Sequence, residues 1–466
     1  MPRSEAPAAS AGGELPGAAP HDTARRALEP RVIPRDQHSI SRKHINPNAV
    51  KVLYRLNKAG FQAHLVGGGV RDLLLGHQPK DFDVATDATP DEVRHLFRNC
   101  RLIGRRFRLA HVVFGRDVVE VATFRADHRA SDGDDEGQVH DDGRILRDNV
   151  FGTIEDDAFR RDFTVNALYY DISRFAVLDY TGAMDDLEAR RLRLIGDPEA
   201  RYREDPVRML RAVRFAAKLD FEVEGGTAEP IHELGPLLHD IPPSRLFDEV
   251  LKLFVTGHAE QSLAQLRRFD LLQYLFPAAD AALKAGDTGF EALLARTLDN
   301  TDRRLAEGKP VTPAFLYAAF LWPAATGEAR RLAGEGESAV MAMQRAASRA
   351  ADEQQRHTSL PKRFSGPMRE IWILQPKLER YRAKRARRLL AHPRLRAAWD
   401  FLCLRRDAGE DLAAICDWWQ QAMEAESGGQ KAPPDLKQEG GDSGPDGPRK
   451  RRRGGRRRRG GGGNKT

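Results

Sequence analysis

The sequence predicts an α+β protein: a small mixed α/β head followed by an all-helical neck and body, with disordered termini. Three observations carry that prediction. Strand-like apolar runs alternate with capped helices only between residue 46 and about residue 184. From Asp185 onward Leu, Ala, Arg and Glu recur at helical spacing with Gly and Pro punctuation. Residues 1–45 and 427–466 have compositions that cannot bury a core. With 466 residues the chain has room for two or three domains. The expected division is a disordered segment at 1–45, a head at 46–184, a neck at 185–260, a body at 261–426, and a disordered linker with an Arg-rich tail at 427–466.

Asn46-Pro47 is a helix start, with the helix running to about Ala59 and Gly60 as its stop. Gln62 to Val66 suits a strand, and Val70 to Leu75 a helix stopped by Gly76. The next strand holds Asp81 and Asp83. Thr89-Pro90-Asp91-Glu92 is a capping box that opens a helix toward Arg98. Val112–Phe114 and Val118–Phe124 then pair about Gly115-Arg116. Ser131 to Gly143 is acidic and without apolar period, so it is expected to be a flexible loop rather than a metal cage.

Composition narrows the function classes. No apolar run is long enough to span a bilayer and the N-terminus lacks a hydrophobic signal core, so a soluble, cytoplasmic protein is expected, with no membrane partner. Cys100, Cys403 and Cys416 have no paired metal spacing, which supports neither a disulfide framework nor a zinc ribbon, and they are expected to be ordinary buried thiols. The net charge is +7, but ten Lys and Arg and no acid lie between Arg449 and Thr466, so residues 1–448 carry −3. The tail, with Arg451, Arg452, Arg453, Arg456, Arg457, Arg458 and Arg459, reads as a mobile polycation that attracts phosphate backbones without reading bases.

The chemistry concentrates in Leu65-Val66-Gly67-Gly68-Gly69-Val70-Arg71-Asp72, closed by Asp81-Phe82-Asp83. Glycines let a backbone pass close to phosphate oxygens. Strand side chains alternate, so Asp81 and Asp83 are expected to point one way and Phe82 into the core. Two carboxylates on one rigid edge suit Mg²⁺, which takes its other ligands from water and substrate phosphate. Alone, a Gly-Gly-Gly is usually a loop and an Asp-x-Asp a solvated turn. A dinucleotide-binding loop does not fit, because the sixth position of its Gly-x-Gly-x-x-Gly pattern is Asp72. Together the motifs resemble the signature of the nucleotidyltransferase superfamily that contains poly(A) polymerases and tRNA CCA-adding enzymes. The resemblance covers roughly residues 30–405.

It implies a metal and catalytic set of Asp81, Asp83 and Glu120, the last being the single acid in the apolar run Val118 to Phe124, where its burial is costly unless it faces ligand or solvent. In the family such acids hold two Mg²⁺ ions beside an RNA 3′-hydroxyl and a triphosphate. Gly68, Gly69, Arg71 and Asp72 are candidates for holding nucleotide. Arg160-Arg161-Asp162-Phe163-Thr164-Val165-Asn166 resembles the next motif, in which Arg160 and Arg161 would meet phosphates and Asp162 and Asn166 hydroxyls.

Glu204-Asp205-Pro206-Val207-Arg208 is at once a helix start, with Asp205 as cap, and the family motif whose Asp and Arg address a base edge. Arg208, Arg211 and Arg214 recur at i+3 as a stripe expected to face nucleotide or RNA, with Val207, Leu210 and Val213 on the buried side. His239-Asp240 lacks the spaced partners of a metal phosphohydrolase. Leu360-Pro361-Lys362-Arg363-Phe364 and Arg380 to Arg388 mix bases with aromatics, as RNA-binding segments do and as solvated helices also do.

Asp205 and Arg208 do not separate ATP addition from CTP-then-ATP addition. Leu102-Ile103-Gly104-Arg105-Arg106-Phe107-Arg108-Leu109-Ala110-His111-Val112 and Ser359 to Phe364 resemble segments that mark the bacterial poly(A) polymerases. The expected function is therefore template-independent extension of RNA 3′ ends with ATP and Mg²⁺, releasing pyrophosphate, by a monomer. A CCA-adding tRNA nucleotidyltransferase and an inactive RNA-binding or chaperone protein are the alternatives.

Overall fold

The computed structural model describes residues 29–104, 108–126, 150–380 and 383–429. The expected loop at Ser131–Gly143, the stretch Arg105–Phe107 and the basic tail lie outside them. The head is one eight-stranded sheet, assembled from β1 (Arg31–Ile33), β2 (Ala63–Val66), β3 (Asp83–Thr86), β4 (Cys100–Ile103), β5 (Leu109–Phe114), β6 (Asp117–Thr123), β7 (Leu168–Asp171) and β8 (Ala176–Asp179). The order is β1-β8-β7-β2-β3-β6-β5-β4, and every neighbouring pair is antiparallel except β3 with β6.

Four helices belong to the sheet: α1 (Pro47–Lys58), α2 (Gly68–Leu74), α3 (Pro90–Leu96) and α4 (Ile154–Arg160). The Asn46 side chain accepts from the Asn48 N–H at 2.7 Å, with Pro47 in the first turn, so α1 begins where its cap dictates. Thr89 and Glu92 close the capping box that starts α3.

Two expectations change in the head. The segment ahead of residue 46 is ordered from residue 29: β1 pairs with β8, and Ile33, Ile40 and Ile45 are buried. A strand of three residues among prolines carries too little pattern to read alone, and the edge of β8 orders it. Asp81 also stands two residues ahead of its strand, because β3 begins at Asp83. The reason is the partner strand. Val66 opposite Asp83 is the last pair of β2, and Gly67, at φ +73°, then turns the chain away.

From Ala183 the chain is helical apart from the parallel two-residue pair β9 (Arg191–Leu192) and β10 (Glu222–Val223). The neck comprises α5 (Ala183–Glu188), α6 (Pro198–Glu204), α7 (Val207–Leu219), α8 (Gly225–Leu234) and α9 (Pro243–Phe254). On α7, Val207, Leu210 and Val213 are buried, as their spacing predicts. The body continues with α10 (Ala259–Arg268), α11 (Leu272–Leu275), α12 (Pro277–Lys284), α13 (Thr288–Ala306), α14 (Pro313–Phe320), α15 (Trp322–Gly334), α16 (Ala339–Gln354), α17 (Lys362–Glu379), α18 (Ala383–Leu390), α19 (Leu395–Asp407) and α20 (Ala413–Ser427). One apolar core runs without interruption from Ile33 in the head to Leu404 in the body. A second, around Leu378, Leu402, Cys416 and Trp419, belongs to the C-terminal helices. Among the described residues no helix is long and apolar enough to cross a membrane.

Candidate active site

The site forms where β2 ends and β3 begins, beside the middle of β6. Val84 pairs with Val121 in parallel register, so Asp83 and Glu120, each one residue earlier, stand abreast on neighbouring strands. Asp81 lies next to them, and Phe82 between the two aspartates is buried at 7% exposure, as alternation predicts. The Asp83 side chain reaches solvent, yet the protein crowded around it raises its pKa to about 6, with Glu120 and Asp81 adding like charge and Arg161 opposing them. Glu120 is 41% exposed on its side chain, with His111 Nε2 from β5 at 3.4 Å.

Hard oxygen donors on adjacent strand ends fit a divalent cation, and the mutual repulsion of these acids is what such a cation would relieve. No three His, Cys, Asp or Glu side chains close on one point among the described residues. Asp81, Asp83 and Glu120 thus form an open edge, suited to a cation that completes its shell with water and phosphate.

The glycine turn works by close approach. A Cβ on Gly67 would sit 3.4 Å from Arg161 Nη1, and one on Gly69 would sit 3.3 Å from the Asp81 carbonyl oxygen. Gly67 therefore admits Arg161, and Gly69 lets the first turn of α2 lie against the peptide that carries Asp81. Arg161 Nε and Nη2 donate to Asp157 at 3.1 and 2.7 Å, and Nε also reaches the Tyr169 hydroxyl at 3.0 Å. Tyr169 donates to Asp157 at 2.6 Å. Arg160 is partly exposed, and its carbonyl accepts from Arg201 Nη2 at 2.7 Å.

Arg71 is not presented to a ligand. Its side chain is 2% exposed and bonds Asp72 Oδ1 through Nε and Nη2 at 2.8 and 2.6 Å, and Asn166 through Nη1. Lys218 of α7 reaches Asp72 at 3.2 Å, Asn166 Nδ2 donates to Asp162 at 3.1 Å, and Arg211 Nε donates to Asp162 at 2.8 Å. The result is a continuous run of Lys218, Asp72, Arg71, Asn166, Asp162 and Arg211 that ties head to neck. Burial alone would raise the Asp162 carboxyl, but Arg211, Asn166 and the Phe163 N–H outweigh it and hold the group down to about 2.

Asp205 and Arg208, expected to address a base, have partners within the protein. Asp205 accepts from Arg245 of α9 at 2.7 Å and from the Val207 N–H at 3.3 Å; it closes α6 while Pro206 takes the cap position of α7, one residue later than the sequence reading placed it. Arg208 donates to Glu204 at 2.8 Å and to the Arg201 carbonyl at 2.7 Å rather than meeting Asp205. The stripe on α7 turns inward for the same reason. Arg208 is 13% and Arg211 32% exposed, and the guanidinium of Arg214 lies 4.5 Å above the Phe215 ring with its buried Nε unpartnered. Packed against acids of the head and neck, it is an internal brace and not an open basic surface. Burial and the neighbouring Arg211 lower the Arg214 pKa.

Sequence reasoning missed Asp157, Tyr169, Arg201, Glu204 and Arg245. Asp157 and Glu204 were findable, each standing four residues before an arginine already singled out. Arg125, whose guanidinium feels Asp157, Arg161 and Glu120, and Arg245 come from distant sequence and carry no local signal. His239 packs against Tyr274 and His357 at centroid distances of 5.1 and 6.5 Å.

Three family models match: "Poly A polymerase head domain" over residues 63–193, "Probable RNA and SrmB- binding site of polymerase A" over 220–283, and "Polymerase A arginine-rich C-terminus" over 335–459. The chain is 52% identical to poly(A) polymerase I of Salmonella typhimurium over 87% of each chain. It is 36% identical to the CCA-adding enzyme of Bacillus pumilus over 47% of this chain and 52% of that one. Among solved structures it resembles the Bacillus stearothermophilus CCA-adding enzyme in complex with CTP at TM-score 0.51 and 25% identity, covering 84% of this chain and 90% of that one. The 52% identity over most of both chains, together with the matched head and two matched helical segments, makes the chain a member of the bacterial poly(A) polymerase family of nucleotidyltransferases.

Proposed function

We propose that the chain extends RNA 3′ ends with adenylate from ATP, without a template, in the bacterial cytoplasm where both substrates occur, and that it acts as a monomer. The observation that carries this reading is the placement of Asp83 and Glu120 abreast on β3 and β6, with Asp81 beside them and Arg161 across the Gly67 turn. Asp81, Asp83 and Glu120 would hold Mg²⁺, which when bound supplies acidification of the 3′-hydroxyl and neutralisation of the triphosphate.

The chain's own groups do the remaining work. Gly68 lets the triphosphate approach the first turn of α2, which Gly69 seats against the Asp81 peptide, and Arg160 with the Nη1 of Arg161 offers donors to its oxygens. Arg71, Asp72, Asp162 and Asn166 hold the wall of the nucleotide pocket. Arg211 and Arg214 brace that wall from α7. Asp205 and Arg208, fixed by Arg245 and Glu204, present an acceptor and a donor toward the base. The arginines Arg451, Arg452, Arg453, Arg456, Arg457, Arg458 and Arg459 retain RNA through its phosphates.

The deciding experiment supplies purified protein with Mg²⁺, each nucleoside triphosphate singly, and two labelled RNAs: one unstructured and one a tRNA lacking its CCA end. Long ATP-dependent extension of both RNAs is the expected result. Efficient CTP addition to the truncated tRNA would move the assignment to a CCA-adding enzyme. RNA binding without incorporation would make the chain an inactive binding protein.

A further inference from the structure

Outside the site already described, Cys403 and Cys416 meet at the contact between α19 and α20. Two bonds fix the register of that contact. The Trp399 indole N–H donates to the Cys416 carbonyl at 3.0 Å, and Arg406 reaches Asp417 at 3.9 Å. Cys403 stands four residues after Trp399 and three before Arg406, on the same face of α19, and packs against the apolar cluster that contains Cys416. The two thiols share a hydrogen bond, which pulls Cys416 below the ordinary thiol range and pushes Cys403 above it, so they titrate as a pair. Arg406 adds positive charge beside both sulfurs. Cys416 is buried in the second core at 1% exposure, whereas Cys403 is partly exposed.

We propose that Cys403 and Cys416 are an oxidisable dithiol, which a small-molecule disulfide such as glutathione disulfide converts into an intrachain bond stapling α19 to α20. Cys403, the sulfur within reach of solvent, attacks one sulfur of glutathione disulfide while giving its proton along the shared hydrogen bond to the Cys416 thiolate, and expels one glutathione. Cys416 then attacks the Cys403 sulfur of the mixed disulfide and expels the second. The two thiol protons end on the two glutathione thiols; the protein loses two electrons and the glutathione disulfide gains them. Because α20 is the last described helix before residues 430–466, the bond fixes the root from which the Arg-rich tail leaves the body.

The test uses the full reduced chain, incubated without oxygen in excess glutathione disulfide, trapped with N-ethylmaleimide during unfolding and read by peptide mass. The expected product is a Cys403–Cys416 cross-linked peptide pair lacking two hydrogens, with Cys100 of β4 unlinked to either. Cys416→Ala should halt Cys403 at the mixed glutathione disulfide. Chymotrypsin should cut at Trp418 and Trp419 within Ala413–Ser427 about tenfold more slowly in the oxidised chain, since closing so short a loop restrains local opening. Full alkylation of both thiols, or a stable mixed disulfide on Cys403 in the unsubstituted chain, would overturn the proposal. So would equal cleavage of the oxidised and reduced chains.

Discussion

Asp83 shows how one position can hold a charge at the expense of stability. Its carboxyl is raised from an ordinary 3.8 to about 6, so ionisation disfavours the folded state. The penalty is fully present above pH 6, shrinks as pH falls from 6 to 3.8, and vanishes below 3.8, where the folded and unfolded carboxyls are both protonated. A change of that size is about 3 kcal/mol when unscreened, and solvent at the exposed edge leaves about 1 kcal/mol. In EDTA, Asp83→Asn should therefore melt higher than the unsubstituted chain at pH 8, with the difference shrinking steadily as pH is lowered from 6 toward 3.8, by calorimetry. A lower melting point at pH 8 would mean that the carboxylate is structurally required.

In Mg²⁺ the same substitution, or Asp81→Asn, should reduce incorporation by at least about a thousandfold while RNA binding persists, because it removes metal-held charge and no packing. Glu120→Gln should follow them. Near-normal turnover in Glu120→Gln would reduce that residue to a partner of His111. These three acids were legible because their spacing and setting encode chemistry. The state of Arg71 was not, since its burial depends on Asn166, 95 residues away, and no local pattern announces it.

Elements differ in how openly the sequence declares them. The helices α1 and α3 announce themselves through Asn46-Pro47 and the Thr89–Glu92 box, whose capping atoms are local. The strands β7 and β8 do not, because each has four fully buried residues and no polar alternation to distinguish it from a helical run. The contact between α2 and Asp81 yields a prediction at this scale. Gly69→Ala places a methyl 3.3 Å from a backbone oxygen that cannot rotate away, so the Asp81 peptide must shift by a few tenths of an ångström. Turnover should fall about tenfold with far-ultraviolet dichroism unchanged. An unaltered turnover would show that the carboxylate edge tolerates that movement. Across α6, α7 and α9, Arg208→Ala should blunt the preference for ATP over CTP, GTP and UTP more than it weakens triphosphate binding, measured as kcat/KM for each nucleotide. An equal loss for all four would assign Arg208 to bracing alone.

For the whole molecule, charge is divided between residues 1–448, of net −3, and a tail of ten cations. Each cation that neutralises a phosphate releases counterion, so the tail adds affinity that falls steeply with salt and carries little sequence information. Deleting Arg449 to Thr466 should raise the KM for RNA at moderate salt and flatten its salt dependence. Turnover at saturating RNA should stay nearly constant, as read by initial rates across a salt series. Lost turnover would mean that the tail reaches the carboxylates; unchanged affinity at every salt would give it another role.

The run from Lys218 through Asp72, Arg71, Asn166 and Asp162 to Arg211 sets a rule for recombining such enzymes. A head transplanted onto a foreign neck inherits the Asp162 carboxylate without its Arg211 guanidinium, and a buried acid left alone costs several kcal/mol. Chimaeras should fold only when the crossover carries both ends of the run together, so the natural unit of exchange is the pocket with its bracing helix and not the sheet by itself.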